Sequence, residues 1–171
     1  MDRSGKDLLR QRIHPRMRNH DYCDGVYFVT ACTQRMKHYF GYVCDGVMHS
    51  NILGEYLDSV LQSIEQKFHY CEIPLWVVMP NHFHAIIVID GKKFEKAFKY
   101  VCRNSMALPI IMTSIKSAVT KFAYGVNIDF KWQRSYYDHI IRDAFKANEI
   151  DNYIRTNPQR WDKDCFNKQN M

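Results

Sequence analysis

The chain has 171 residues, enough for one domain with a proper hydrophobic core. Lys and Arg outnumber Asp and Glu by 24 to 18, and the net charge of +6 suits a polyanionic partner, nucleic acid first, without requiring one. No apolar stretch reaches the ~18 residues of a membrane span, no apolar segment follows the polar start, and none of the six cysteines is spaced Cys-x-x-Cys. The expectation is a soluble cytoplasmic protein with reduced thiols, no zinc ribbon, no secretory signal and no membrane contact.

In chain order, residues 1–22 form a basic arm that includes Arg12, Arg16 and Arg18. Such a segment is either a mobile tail or a nucleic-acid contact. Asp24-Gly25 signals a turn, and the β-branched and aromatic run from Val26 to Cys32 reads as a strand. Residues 41–49 predict a second, weak strand or hairpin ending at Asp45-Gly46. Leu53, Tyr56, Leu57, Val60, Leu61, Ile64 and Phe68 recur at helical spacing and predict an amphipathic helix. Strands over 72–79 and 82–89 flank a Pro80-Asn81 turn. Residues 94–102 suit a short basic helix. A longer helix opens at Pro109, buries Ile111, Ile115, Val119 and Phe122, and stops at Gly125. The last strand lies within 130–142, and a final helix over 144–156 is stopped by Asn157-Pro158.

Strand, helix, strand, strand, helix, strand, helix is the split βαβ order. The expected fold is α+β and ferredoxin-like: an antiparallel sheet with helices on one face, plus a C-terminal helix. The expected organisation is an arm over 1–22, one domain over 23–165 and a tail over 166–171.

Two features carry chemistry. On a strand His82 and His84 share a face while Phe83 takes the other. Two imidazoles about 7 Å apart at the backbone can converge on one divalent ion. On the last helix Tyr153 and Asn157 are four apart and lie one above the other, at the edge of a buried stripe marked by Ile150 and Ile154. Periodicity alone leaves two readings open: Tyr153 presents its hydroxyl to the sheet, or it packs while Asn157 caps the helix.

Met79-Pro80-Asn81-His82-Phe83-His84, the run from Trp132 to Asp143, and Tyr153-Ile154-Arg155-Thr156-Asn157-Pro158 together resemble the IS200-like and REP-associated single-tyrosine transposases of the HUH endonuclease superfamily. The resemblance spans about residues 22–162. It implies that His82 and His84 hold Mg²⁺ or Mn²⁺, that Asn157 falls at the position of a third ligand, and that Tyr153 is the nucleophile. It also implies a single-stranded DNA substrate, folded into a hairpin, cut and rejoined through a 5′-phosphotyrosine. Lys92 and Lys93, Lys116, Lys121 and Arg134 join the arm as candidate DNA contacts, with Gln133 beside Arg134. Tyr136 and Tyr137 fall on opposite faces of their strand, so at most one faces the site. Two alternatives remain: a domesticated relative that binds structured nucleic acid without cutting it, and a small metal-dependent phosphoesterase. The sequence leaves open whether one chain or a homodimer assembles the site.

Overall fold

The computed structural model describes residues 22–97 and 106–167. Its centre is a four-stranded sheet of β1 (Gly25–Cys32), β4 (Cys71–Met79), β5 (His82–Ile89) and β6 (Tyr137–Ile140) in the order β4-β5-β1-β6, every neighbour antiparallel. This is the ferredoxin-like order that the element sequence predicted. Between β1 and β4 lie a separate hairpin, β2 (Gly41–Cys44) and β3 (Val47–Ser50), and helix α1 (Ile52–Lys67). Helices α2 (Gly91–Ala97) and α3 (Ala107–Gly125) follow β5, and α4 (Ala144–Arg155) follows β6. The basic helix expected over 94–102 lies partly outside the described residues.

Local chemistry explains the boundaries. Asn51 opens α1 by accepting from the amides of Leu53 and Gly54 at 3.0 and 3.1 Å, and Asp143 opens α4 by accepting from Lys146 N at 2.8 Å. Proline at the third residue of α3 sits in the first turn, where an amide proton has no intrahelical partner. The last strand is only four residues long, because Lys131 and Gln133 are bonded instead to the end of β1 and the loop after it.

Alternation along the strands sorts the sheet into two unlike faces. Tyr27, Val29 and Ala31 of β1 and Phe83, Ala85 and Ile87 of β5 are buried against α1 and α3 in one large apolar cluster with Leu53, Leu57, Ile111 and Ile115. Val26, Phe28, Thr30, His82, His84 and Ile86 occupy the other face, where α4 packs through Ile150 and Ile154. Each of those isoleucines contributes roughly 1.5–3 kcal/mol on burial, which is enough to fix the helix. The C-terminal helix thus takes the face that α1 and α3 leave free, and that face carries both histidines.

Candidate active site

His82 and His84 stand at the start of β5, paired with Met79 and Val77 on one side and with Cys32 and Thr30 on the other. Both are buried. Their Nε2 atoms face each other at 3.0 Å. Each Nδ1 has its own partner: Asn81 Oδ1 at 2.8 Å for His82 and Thr30 Oγ1 at 2.7 Å for His84. Asn81 spends its amide protons on the carbonyls of Met36 and Phe166, at 3.1 and 2.8 Å. Its oxygen is therefore the atom turned to His82, so Nδ1 of His82 donates and Nε2 keeps a lone pair. A hydroxyl both donates and accepts, so Thr30 serves either tautomer of His84.

From the opposite side α4 brings Tyr153, whose hydroxyl lies 3.3 Å from His84 Nε2. Phe28 packs edge-on against the Tyr153 ring and stacks on His84, with centroids at 6.2 and 5.2 Å. One turn on, Asn157 is fully buried. Its side chain does not cap α4, where Thr156 is the capping residue. It donates instead to Asp164 Oδ2 at 3.1 Å, and its Oδ1 has no hydrogen-bond partner among the described residues. A short 3₁₀ turn (Pro158–Lys163), anchored by buried Trp161, reverses the chain. It returns Asp164 to Asn157 and lays Phe166 against His82 and His84, with centroids at 4.6 and 5.8 Å.

Burial sets the protonation states. Desolvation holds His82 well below the usual imidazole range, helped by neighbouring His84 and His38, and lowers His84 to about 3. Both rings are therefore neutral at pH 7 and able to act as ligands. Desolvation pushes the Tyr153 phenol up to about 12; the charges of Asp164 and Cys165 add to this, and a hydrogen bond from Asn157 opposes it. The resting side chain is a neutral phenol.

The donor set fits a divalent ion. Two metal–nitrogen bonds of roughly 2.1 Å at a right angle place the nitrogens about 3.0 Å apart, the spacing of the two Nε2 atoms. Among the described residues no three His, Cys, Asp or Glu side chains form a group that can hold a metal. A third ligand would have to come from another residue type, and the unpartnered buried oxygen of Asn157 has the chemistry to serve. Both Nδ1 positions carry the hydrogen bonds that orient ligand histidines.

No family model matches the chain. A protein of Haemophilus influenzae described as uncharacterized is 34% identical, over 91% of this chain and 93% of its own length. The two belong to one family. Among solved structures, a REP-associated tyrosine transposase bound to a REP hairpin is similar with a TM-score of 0.60 over 86% of this chain and 74% of the other, at 18% identity. The chain therefore has the fold of that transposase. No helix among the described residues is long and apolar enough to cross a membrane.

The structure gathers His82, His84, Tyr153 and Asn157 at one place. The basic candidates scatter. Arg134 is exposed on the wall of a cleft of about 770 Å³ that also takes in His84 and Tyr153. Lys116 lines the same cleft, but its ammonium donates to the Gln133 carbonyl at 2.7 Å and lies over the Trp132 ring, so it also joins α3 to the segment before β6. Lys92 and Lys93 sit on α2, past the end of β5 remote from His82, and Lys93 pairs with Asp90 at 3.7 Å. Arg12, Arg16 and Arg18 lie outside the described residues. Tyr137 pairs with Thr30 and so shares the histidine face, whereas Tyr136 packs against the core on the other side.

Sequence reasoning missed Thr30, Asp164 and Phe166, and took Asn81 only as a turn residue. Asn81 had a signal, since it directly precedes His82. Thr30 and Asp164 had none, because one depends on strand register and the other on a chain reversal after Pro158.

Proposed function

We propose that this protein cleaves and rejoins single-stranded DNA, using Tyr153 as nucleophile and a divalent ion, Mg²⁺ or Mn²⁺, held by His82, His84 and Asn157. The observation that carries this reading is the convergence of Tyr153 Oη and His82 Nε2 on His84 Nε2, at 3.3 and 3.0 Å, across two elements 69 residues apart in sequence. A buried phenol satisfied by one acceptor is ordinary packing; what favours the catalytic reading is that the acceptor is the same His84 Nε2 that faces His82 Nε2. The likeness in fold to a hairpin-bound transposase supports the choice of a hairpin-forming strand as substrate.

When bound, the ion would draw charge from a non-bridging phosphate oxygen and stabilise the more negative transition state. The chain's own residues do the rest. Ile150 and Ile154 fix α4 against the sheet, so Tyr153 is held in place before substrate arrives. Phe28 and Phe166 pack around the imidazoles and keep the site dry, which strengthens electrostatic contacts there. The phenol releases its proton to water as its oxygen bonds to phosphorus, the bond from phosphorus to the 3′ oxygen breaks, and that oxygen takes up a proton from water and leaves as a free 3′-hydroxyl. The 5′-phosphotyrosine keeps the energy of the phosphodiester, so attack by another 3′-hydroxyl reverses the step without ATP.

The test is to incubate the protein and Mn²⁺ with labelled single-stranded DNA from the flanks of its own gene, and to look for a denaturant-resistant protein–DNA adduct. Tyr153→Phe should form none, and His82→Ala should lose cleavage while retaining DNA binding. Turnover of the strand without an adduct, or an adduct that survives in Tyr153→Phe, would remove Tyr153 from the mechanism and favour a water-activating phosphoesterase.

A further inference from the structure

The cleft beside Tyr153 is larger than a phosphate and a tyrosine need. Its ~770 Å³ falls within the range of about 300–1,000 Å³ typical of sites that enclose a small organic molecule. One wall is a flank of α3, with buried Met112 and exposed Thr113 and Ser117; the other is the segment from Gln133 to Asp138. Strand register connects the cleft to the chemistry. His84, Thr30 and Tyr137 are successive members of one cross-strand row, so Tyr137 stands two strands, roughly 10 Å, from the metal-facing histidine on the same face. The walls are braced. Lys116 spans the cleft to the carbonyls of Gln133 and Ser135 at 2.7 and 3.5 Å, and Gln133 N bonds to Cys32 O at 2.8 Å.

The chemistry of the lining is that of a nucleotide rather than of a hydrocarbon. Tyr137 is 39% exposed as a residue, and Arg134, exposed between the two braced residues, makes no ion pair among the described residues. Hydroxyls and an amide lie within reach of a base edge. Asp138 is the single acidic residue on the walls, and α3 has none along its whole length. The cleft also continues past Lys116 and Ser117 onto a shelf formed by Lys121, Trp132 and Tyr124, and Tyr124 is 84% exposed. Alternating rings and cations of this kind follow a single strand, because every base has a face to stack and every nucleotide a charge.

We infer that the cleft between α3 and the Gln133–Asp138 segment is a nucleotide subsite that takes one unstacked base of single-stranded DNA next to the phosphate attacked by Tyr153, with Tyr137 stacking on the base, Arg134 meeting a flanking phosphate, and the strand running on over Tyr124. This rests on the reading of Tyr153 as a nucleophile toward single-stranded DNA. Extruding a base costs least where the strand is already unpaired, so the subsite also favours single strands over duplex at the cut.

Binding by Tyr153→Phe protein, which cannot cut, separates the subsite from the chemistry. Single-stranded oligonucleotides spanning the mapped cut would carry one abasic position at a time, and matched oligonucleotides would carry 2-aminopurine there. The expected result is one position beside the cut where base removal weakens binding about tenfold and where 2-aminopurine brightens on binding. Tyr137→Ala should flatten that position dependence and Tyr137→Phe should keep it. Ser117→Trp, which fills the cleft from an exposed helical position, should act like Tyr137→Ala. Equal sensitivity at every position, or a position dependence unaltered in both Tyr137→Ala and Ser117→Trp, would overturn the subsite even if the adduct forms. Absence of an adduct with the parent protein would instead overturn the nuclease reading.

Discussion

The two faces of the central sheet are built from the same strands and do different work. On the α1/α3 face the inward residues of β1 and β5 are apolar and fully buried, and they belong to one continuous core. On the α4 face the apolar cluster is small, and beside it Thr30, His82 and His84 are buried together with Asn157. Burying polar groups is costly unless each finds a partner, so a face meant only for stability would not carry them. Their hydrogen bonds are nearly complete, and the one atom left over among them, Asn157 Oδ1, belongs to a side chain that also bonds Tyr153. One face holds the fold together, and the other spends some of that stability on a site.

The sharpest way to break this comparison is a pair of substitutions, one per face. Tyr153→Phe removes a single oxygen from the α4 face. Adduct formation should fall on the order of 10⁴-fold or more, with the urea midpoint almost unmoved. Phe83→Ala, on the same strand but between the two histidines and pointing the other way, should cost about 3–5 kcal/mol of stability. Its residual folded fraction should still form the adduct. Chemical denaturation and adduct yield on the same samples check both. Equal loss of stability from the two variants would mean that the faces are not separate in function.

Acid should then weaken the α4 face selectively. His82 and His84 are held neutral in the fold, whereas their unfolded values lie near 6.5. The unfolded chain therefore binds more protons below pH 6.5, and stability is fully present above that pH and lost as pH falls toward the folded value of about 3 for His84. Each histidine contributes a slope of up to about 1.4 kcal/mol per pH unit in that window. Urea unfolding at pH 7 and pH 5 measures it, and a His82→Leu/His84→Leu double variant should show a flatter profile. An unchanged slope in that variant would place the acid sensitivity elsewhere.

How much of this was legible in the sequence follows from the range of the forces involved. The helices over 53–68 and 109–125 and the strands around Pro80-Asn81 were readable because apolar periodicity is local. The pairing of His82 with His84 needed only strand alternation. The meeting of Tyr153 with His84 was supplied by motif resemblance, since periodicity put Tyr153 at the edge of a stripe but could not say which face of the sheet α4 would cover. Thr30 was invisible for a simpler reason: its contact with His84 depends on the register of β1 against β5, which is set by the whole alternating pattern rather than by any neighbour of Thr30. The last strand did fall within 130–142, but its position there, Tyr137–Ile140, was not legible, because the aromatic run from Phe130 to Tyr136 looks like strand yet is consumed in packing and in bonds to the end of β1.

The smallest expected effects separate the two residues that orient the histidines. Asn81 holds His82 and two backbone carbonyls, so Asn81→Ala leaves two buried groups and one half-buried group short of a partner. That variant should lose about 2–4 kcal/mol of stability and some 10- to 100-fold in metal affinity. Thr30→Val is nearly isosteric and suits a strand, so little packing is lost and valine's fit offsets part of the cost. What disappears is the single hydroxyl at 2.7 Å from His84 Nδ1. Stability should drop by only about 1 kcal/mol, yet the ring loses the contact that fixes its tilt. Titration of cleavage with Mn²⁺ should therefore shift to higher concentration by about tenfold while the maximal rate at saturating metal stays close to the parent's. A lower maximal rate with an unshifted Mn²⁺ midpoint would mean that Thr30 positions His84 against Tyr153 rather than against the metal.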